Sequence, residues 1–223
     1  MPHAELTPQA TLHQNYDFIL IGDGDFEKFR PFIKAIGWKI NHLGVADTLV
    51  REGNYYTPMN LMADCILSAI QTRMVTMSTS NTVLVIGEFD FVLSVTAKLA
   101  LAGFSNFIVS LEDEFKFDII KKRISEFIFN LDLKFVRLNE LTQIQDTSSL
   151  LISNLSETTN REAYDSLTYF NFLSAGGVFV DANSLRNASL IEEARRAELN
   201  VIEEGEILTL KYKSLVELSK NSP

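Results

Sequence analysis

The segment from Thr82 to Ser110, TVLVIGEFDFVLSVTAKLALAGFSNFIVS, constrains the fold of this chain more than any other stretch. An apolar run that ends at Gly87 is followed by a helical pattern, a small-residue turn and a second apolar run. Strand, glycine turn, helix and strand in this order are typical of the first βαβ unit of a dinucleotide-binding fold. The sequence therefore predicts a parallel sheet with helical crossovers that begins at Thr82.

The chain beyond this unit alternates regularly between apolar runs and helical patterns. The further strand candidates are residues 106–110, 134–137, 149–153, 178–181 and 200–202. Strands separated by helices of this length form βαβ units with right-handed crossovers. The sequence therefore predicts an α/β fold with a Rossmann-like, doubly wound parallel sheet in the strand order 3-2-1-4-5-6, preceded by a reduced N-terminal α/β segment.

The N-terminal third has a more mixed pattern. Residues 16–22 predict a strand and residues 25–36 a helix, while residues 38–44 and 47–53 are typical of two short strands. Pro58 is expected near the start of a long helix, because proline suits the first helical turn.

These patterns divide the chain into three parts. Residues 1–78 are predicted to form the reduced N-terminal segment, which ends in the polar run MSTSN. Residues 79–205 are predicted to form the Rossmann-like domain. Residues 206–223 are expected to form a separate C-terminal segment, with an amphipathic helix at 207–218.

The composition limits the classes of partner. A formal net charge of −9 and a pI near 4.9 argue against a nucleic-acid partner, which requires a basic surface. The sequence shows neither a signal-like N-terminus nor an apolar run of membrane-spanning length, so we expect a cytoplasmic protein without a membrane contact. The single Cys65 cannot form an internal disulfide and is expected in the core, and three scattered histidines offer no metal site.

The glycine turn at Gly87, after the apolar run that begins at Thr82, lacks features that a dinucleotide needs. Phe89 stands where a second glycine would let the backbone approach the pyrophosphate, and its ring is expected to occupy that space. Glu88 and Asp90 place negative charge at the helix N-terminus, where a phosphate would otherwise be favoured. Each carboxylate this close disfavours a phosphate by roughly 1 kcal/mol or more. We therefore expect no cofactor, and NAD if any dinucleotide binds.

Four residues are the candidate contacts if a dinucleotide does bind: Gly87, Glu112, Asn154 and Ser156. Glu112 follows the second strand, where an acidic residue accepts hydrogen bonds from ribose hydroxyls, so the sequence favours NAD. The alternative is that Glu112 and Asp113 cap the helix that follows. Asn154 and Ser156 suit either a nicotinamide ribose or a strand-end turn. S-adenosylmethionine is a further candidate, but the Gly-rich first turn and late antiparallel hairpin of methyltransferases are missing from the sequence.

Two strand-to-helix turns of the chain share one pattern. IGDGDF at residues 21–26 and IGEFDF at residues 86–91 each follow an apolar strand. Either the pattern is a duplicated half-unit, or the two turns have converged on similar capping chemistry. In the second case Asp25 and Asp90 are the expected N-cap residues, since aspartate is a strongly preferred N-cap.

Three segments of the second half follow one another in a recognisable order: VLVIG at 83–87, LLISNLS at 150–156 and GGVFVDANS at 176–184. This order is similar to that of the C-terminal domain of shikimate and quinate dehydrogenases, and ADTLVREGN at 46–54 is similar to the stretch that leads into the linking helix of that family. The chain therefore resembles the shikimate dehydrogenase family over roughly residues 17–220. The resemblance implies that the C-terminal helix packs back on the N-terminal segment.

The chain departs from the family at positions that the resemblance implies to be functional. Met62 stands near the place of the catalytic Asp, and Lys211 stands at the place of a substrate-binding Gln. The nearest candidate for the catalytic lysine, Lys28, is not aligned with it. The portion that binds the substrate carboxylate in the family has no counterpart, so the N-terminal domain is expected to be truncated.

These features predict a shikimate dehydrogenase-like protein that has lost catalysis and acts as a binding or regulatory scaffold. Its partner would be another protein or a second copy of the chain. The helix-borne rings Phe115, Phe117, Phe127 and Phe129 offer a candidate contact surface, although core packing explains most of these rings. The alternative is an NAD(P)-dependent oxidoreductase with an altered substrate and a non-standard cofactor turn. That alternative requires a cleft wide enough for a dinucleotide, with Phe89 turned away from it.

Overall fold

The computed structural model describes residues 7–73, 78–111, 113–155, 161–183 and 188–220. The N-terminal part contains α1 (Pro8–His13), β1 (Phe18–Leu20), α2 (Phe26–Phe29), a 3-10 helix (Arg30–Phe32), α3 (Trp38–Leu43), β2 (Thr48–Glu52), β3 (Tyr55–Met59) and α4 (Leu61–Arg73).

The second part holds a longer series of alternating strands and helices. It contains β4 (Thr82–Gly87), α5 (Phe89–Leu101), β5 (Asn106–Leu111), a 3-10 helix (Glu114–Lys116), α6 (Phe117–Ser125), β6 (Asp132–Phe135), a 3-10 helix (Leu138–Gln143), β7 (Ser148–Ser153), α7 (Arg161–Leu167), β8 (Leu173–Asp181), α8 (Ala188–Arg196), β9 (Asn200–Ile202) and α9 (Glu204–Lys220).

The six strands of the second part form one parallel sheet in the order β6-β5-β4-β7-β8-β9. This is the order 3-2-1-4-5-6, so the predicted α/β, Rossmann-like fold is confirmed. The central strand β4 is buried on both faces: Val83 and Val85 belong to one core, and Leu84 and Ile86 belong to the other. Burial on both faces explains why β4 is a continuous apolar run rather than an alternating one.

The N-terminal part forms a separate three-stranded antiparallel sheet in the order β1-β2-β3. Its small core includes Phe26, Leu49 and Tyr56. The sequence predicted a helix start near Pro58, but Pro58 lies inside β3. The edge position of β3 explains this, because a proline in an edge strand does not interrupt the ladder.

Residues 38–44 are a helix, α3, and not the predicted strand. Tertiary contacts override the local pattern: the Trp38 ring packs edge-on against Phe127, with ring centroids 5.7 Å apart. The Arg123 guanidinium donates a hydrogen bond to the carbonyl of Leu43 at the helix end. Gly44 then ends the helix in the left-handed conformation, at φ +68°.

The long C-terminal helix α9 lies against α4 and the end of β2. Its buried face includes Ile207, Lys211 and Leu215. Among the helices of the described residues, none is long and apolar enough to cross a membrane.

Candidate functional site

The turn between β4 and α5 is closed on one side by Asn154, which follows β7. Asn154 Oδ1 accepts a hydrogen bond from the backbone N–H of Glu88 at 3.0 Å. Gly87 has a φ of +148°, and a Cβ atom at this position would overlap the carboxamide of Asn154. Two of the predicted site residues, Gly87 and Asn154, are therefore brought together, and glycine is required because Asn154 approaches so closely.

The other side of this turn is closed by Asp23, from the turn that follows β1. Asp23 Oδ1 accepts a hydrogen bond from the backbone N–H of Asp90 at 2.9 Å. In return, Asp90 Oδ2 accepts one from the backbone N–H of Gly24 at 2.8 Å. The first N–H groups of a helix are an anion-binding site, and here an internal carboxylate occupies the place of an external anion.

These contacts correct the capping predicted from the shared sequence pattern. The N-cap of α5 is Glu88, and Asp90 lies one residue inside the helix. Asp25 stands at the N-cap of α2, but its carboxylate pairs with Lys28 at 2.6 Å. The two similar turns do meet in space, since Asp23 and Asp90 exchange hydrogen bonds across them.

Burial of the two carboxyl groups changes their protonation. Burial raises the pKa of Asp90 to about 6, and the neighbouring Asp23 adds to that rise, whereas the Gly24 N–H, Arg123 and Lys116 oppose it. Asp23 is exposed as a whole residue, yet its carboxylate lies against α5, and the desolvation of this group raises its pKa as well. The closed turn therefore holds two carboxyl groups that resist ionisation more than ordinary surface aspartates do.

The ring of Phe89 contacts two cations of the α6 region. Lys116 Nζ lies 5.0 Å from the ring centroid, and Arg123 Cζ lies 5.6 Å from it. The ring, together with Asp23 and Asp90, lines a small cavity of about 190 Å³. The sequence attributed the obstruction of the turn to Phe89, but the groups that bind its N–H donors are the side chains of Asp23 and Asn154.

A larger cavity of about 360 Å³ lies at the carboxyl ends of β5 and β6. Its lining includes Asp113, Glu114, Arg137 and Phe115. Asp113 Oδ1 accepts a hydrogen bond from the backbone N–H of Phe115 at 3.2 Å, which supports the capping alternative for Asp113. The candidate cofactor residues Glu112 and Ser156 lie outside the described residues.

Comparison of the chain with known proteins identifies its fold. No protein-family model and no curated protein matches the chain. Among solved structures, quinate dehydrogenase from Corynebacterium glutamicum in complex with NAD is 12% identical, with 98% of this chain and 78% of that chain covered and a TM-score of 0.79. Shikimate dehydrogenase from Mycobacterium tuberculosis is 16% identical, with 99% and 80% covered and a TM-score of 0.72. The chain has the shikimate dehydrogenase-like fold. Identities this low show the fold alone.

A solved structure named for a different activity has a similar fold. The ligand-free 5-ketofructose reductase of Gluconobacter sp. strain CHM43 is 12% identical, with 95% of this chain and 76% of that chain covered and a TM-score of 0.70. The predicted resemblance to shikimate and quinate dehydrogenases is therefore confirmed at the level of the fold.

A buried lysine pairs with a half-buried aspartate where β2, α4 and α9 of this shikimate dehydrogenase-like fold meet. Lys211 Nζ is 3.7 Å from Asp47 Oδ1, and Lys211 is only 8% exposed. The carboxylate of Asp47 also accepts hydrogen bonds from the backbone N–H groups of Leu61 at 3.0 Å and Met62 at 2.6 Å. Asp47 thus caps α4 and neutralises Lys211. No local sequence pattern indicates this role of Asp47, because its partners are 14 and 15 residues away and on α9.

The remaining candidate residues from the sequence are Cys65 and the three histidines. Cys65 is buried in the core, as predicted, and burial raises the pKa of its thiol to about 11, so this thiol is unreactive at neutral pH. His13 and His42 are exposed, and His3 lies outside the described residues. Within the described ranges, histidine, cysteine and acidic side chains form no group of three that could hold a metal ion.

Proposed function

We propose that this protein is a shikimate dehydrogenase-like binding protein that uses no dinucleotide and has lost dehydrogenase catalysis. The observation that carries the proposal is the closed β4–α5 turn. Its Glu88 N–H is bound by Asn154 and its Asp90 N–H is bound by Asp23. A pyrophosphate needs these donors, because it is held by the backbone N–H groups of the turn and of the helix N-terminus.

Displacement of the two internal acceptors would be unfavourable for a dinucleotide. The ligand would replace hydrogen bonds that already exist, so little binding free energy would be gained at the turn. It would also bring phosphate charge next to Asp90 and Glu88, each of which opposes it by roughly 1 kcal/mol at a partly exposed site. Both effects favour the internal carboxylate over the external phosphate.

Two residues at positions that the resemblance implies to be functional support the same proposal. Lys211, at the place of a substrate-binding Gln, is buried and paired with Asp47, whose carboxylate also caps α4. A side chain that binds substrate must be accessible to it, whereas Lys211 is engaged inside the chain. Met62 has no group that can transfer a proton.

The test is a titration of the purified protein with NAD, NADH, NADP and NADPH in a calorimeter, followed by a turnover assay with shikimate and quinate. We expect no binding heat in the micromolar range and no turnover above the background rate. The quinate dehydrogenase from Corynebacterium glutamicum serves as the positive control under identical conditions. Micromolar binding of any of the four dinucleotides, or shikimate- or quinate-dependent reduction of NAD(P), would overturn the proposal.

We propose a cytoplasmic location and, as partner, another protein or a second copy of the chain. Two of the four candidate surface rings are well placed for such a contact, since Phe115 and Phe129 are 87% and 77% exposed. The other two rings pack inside the chain. The ring centroids of Phe117 and Phe135 are 4.9 Å apart, and the Phe127 ring packs against Trp38. Light scattering coupled to gel filtration would measure self-association, and a monomer at all concentrations would restrict the partner to another protein.

The second candidate function is an NAD(P)-dependent oxidoreductase with an altered substrate. The retained strand order β6-β5-β4-β7-β8-β9 favours it, because this order forms the crevice in which such sheets bind a dinucleotide. This candidate requires that both Asp23 and Asn154 leave the turn when the cofactor binds. The same titration distinguishes the two, since only the oxidoreductase gives a binding isotherm with NAD or NADP.

A further inference from the structure

An apolar cavity lies between α3, the end of β3, α4 and α5. Its volume of about 410 Å³ is within the range of small-molecule pockets, which is about 300–1,000 Å³. One wall is the C-terminal half of α5, from Ser94 to the end of the helix. Lys98 on this wall lies roughly 14 Å along the helix from Phe89, where α5 begins. The cavity is therefore separate from the closed β4–α5 turn.

The walls of this cavity are aliphatic. Leu43 and Ala97 are buried at its floor, whereas Leu101 at its mouth is 43% exposed. Met59 and Leu67 are half-buried along its sides. Among the lining residues that the structure describes, none has an aromatic side chain. An alkyl chain would therefore fill the cavity and cover Leu101, whereas a flat aromatic ligand would find no ring on which to stack.

The polar side chains of the two helix walls already have partners within the chain. Lys98 on α5 forms an ion pair with Asp64 on α4. The hydroxyl of Ser94 donates a hydrogen bond to the carbonyl of Phe91 at 3.0 Å. These groups need no ligand to satisfy them, so the body of a ligand between the two helices is expected to be apolar.

A cation without an anionic partner lies at the rim of the cavity. Lys39 on α3 is exposed, and its ammonium group pairs with no carboxylate of the described residues. With the Lys98–Asp64 pair, the lining carries two positive charges and one negative charge, on a chain whose net charge is −9. A cation at the mouth of an apolar cavity suits an anionic amphiphile, whose charged group stays near water while its chain is buried.

We infer that this cavity binds a medium-chain aliphatic carboxylate, with its alkyl chain between α4 and α5 and its carboxylate on Lys39. The binding free energy comes from the apolar surface that the chain and the walls remove from water, and the ion pair with Lys39 selects the head group. The inference does not rest on the proposed function, because the described lining residues include none that close the β4–α5 turn.

Calorimetric titration of the full chain with octanoate, butanoate and octan-1-ol tests the inference. We expect octanoate to bind with a Kd below about 1 mM and at least about tenfold more tightly than butanoate, since it buries a longer chain. Octan-1-ol should bind at least about threefold more weakly than octanoate, since it lacks the charge that pairs with Lys39. Equal binding of octanoate and octan-1-ol would overturn the inference, as would tighter binding of 3-phenylpropionate than of octanoate. Absence of octanoate binding up to about 5 mM would overturn it as well.

Two substitutions locate the binding to this cavity. Lys39→Met keeps an apolar stem but removes the charge, so it should weaken octanoate at least about threefold and leave octan-1-ol unchanged. Lys34→Met is the matched control, because Lys34 is exposed and is not a lining residue, and it should change neither ligand. Ala102→Leu adds bulk at the half-buried wall, so it should weaken both ligands at least about tenfold.

Urea denaturation shows whether each variant is folded before its binding is compared. Equal effects of Lys39→Met and Lys34→Met on octanoate would refute the role of Lys39. Unchanged binding of both ligands by folded Ala102→Leu would refute the assignment to this cavity. Binding of NAD would contradict the proposed function and leave this inference standing, since the two sites share no described residue.

Discussion

Two neighbouring regions at the carboxyl edge of one sheet differ in how completely they are closed. At the β4–α5 turn, the backbone donors are bound by Asp23 and Asn154, so the turn is complete without a ligand. At the β5–β6 cavity, the Phe115 ring is 87% exposed and a volume of about 360 Å³ stays open, although Asp113 and Glu114 have partners within the chain. A Rossmann-like sheet thus determines where a ligand can lie, while side chains from other parts of the chain determine how much of that place is left open.

The largest expected effect is that of Gly87→Ala. The added Cβ would overlap Asn154 and force a non-glycine residue to adopt a φ of +148°. We expect the free energy of unfolding to fall by at least about 2 kcal/mol, measured by urea denaturation. A loss this large would show that the turn and Asn154 form one rigid unit.

Gly205→Ala is the matched control for this substitution. A Cβ at Gly205 would meet no atom within 4 Å, and the residue lies in the first turn of α9. We expect this variant to be unchanged or more stable by up to about 1 kcal/mol. If Gly87→Ala proved as harmless as the control, the close approach of Asn154 would be refuted.

The next effect is that of Asp23→Ala, which removes the internal acceptor from α5. The Asp90 N–H would lose its hydrogen bond, and the free energy of unfolding should fall by about 1 kcal/mol, as for the loss of a helix cap. The vacated helix N-terminus should then bind sulfate, so sulfate should stabilise this variant more than it stabilises the wild type. Thermal denaturation with sulfate, against chloride at equal ionic strength, measures the difference.

Asp25→Ala is the control, since it removes the same charge two residues away while the carboxylate of Asp25 pairs with Lys28. The sulfate effect on this variant should match that on the wild type. An equal sulfate effect on both variants would mean that Asp23 does not occupy an anion site.

The sequence predicted the Rossmann-like part of the fold well, because its strands are long apolar runs separated by helices. β4 and β9 were placed within a residue of their observed ends. The N-terminal part was predicted less well. α3 was taken for a strand because its six residues are too few to show helical periodicity, and its stability depends on Phe127 and Arg123 of distant elements.

The candidate site was predicted in its location but not in its contacts. Gly87 and Asn154 were named from local motifs, and they do meet. The closure by Asp23 joins residues that are 67 positions apart, and a single sequence contains no signal for such a pairing apart from the shared IGxxDF pattern. Which side of a turn a neighbouring segment reaches is decided by tertiary packing, not by local propensity.

A smaller effect, of opposite sign, is expected for Asp90→Asn. The pKa of Asp90 is raised from 3.8 to about 6, so the folded state binds the proton more tightly than the unfolded state does. The contribution of this group to stability is therefore most favourable below pH 4 and is lost as the pH rises toward 6. At pH 7 the Asn variant should be more stable than the wild type by about 1 kcal/mol, after allowance for partial exposure.

Urea denaturation at pH 4.5, 5.5 and 7 checks this prediction. The advantage of Asp90→Asn should shrink as the pH falls, and some pH dependence should remain because Asp23, with its own raised pKa, is still present. Asp25→Asn makes the same change of charge in the exposed neighbouring turn and serves as control. An advantage that does not vary with pH would contradict the assigned protonation.

The effect of Phe89→Ala on stability is expected to be of similar size, and this variant discriminates between the two explanations of the closed turn. The ring is half-buried and contacts Lys116 and Arg123, so its removal should cost about 1 kcal/mol. If the ring itself excluded the dinucleotide, its removal would restore NAD binding. We expect no binding of NAD by this variant in calorimetry, since Asp23 and Asn154 still occupy the N–H donors. Micromolar NAD binding by Phe89→Ala, but not by Asp23→Ala, would assign the obstruction to the ring.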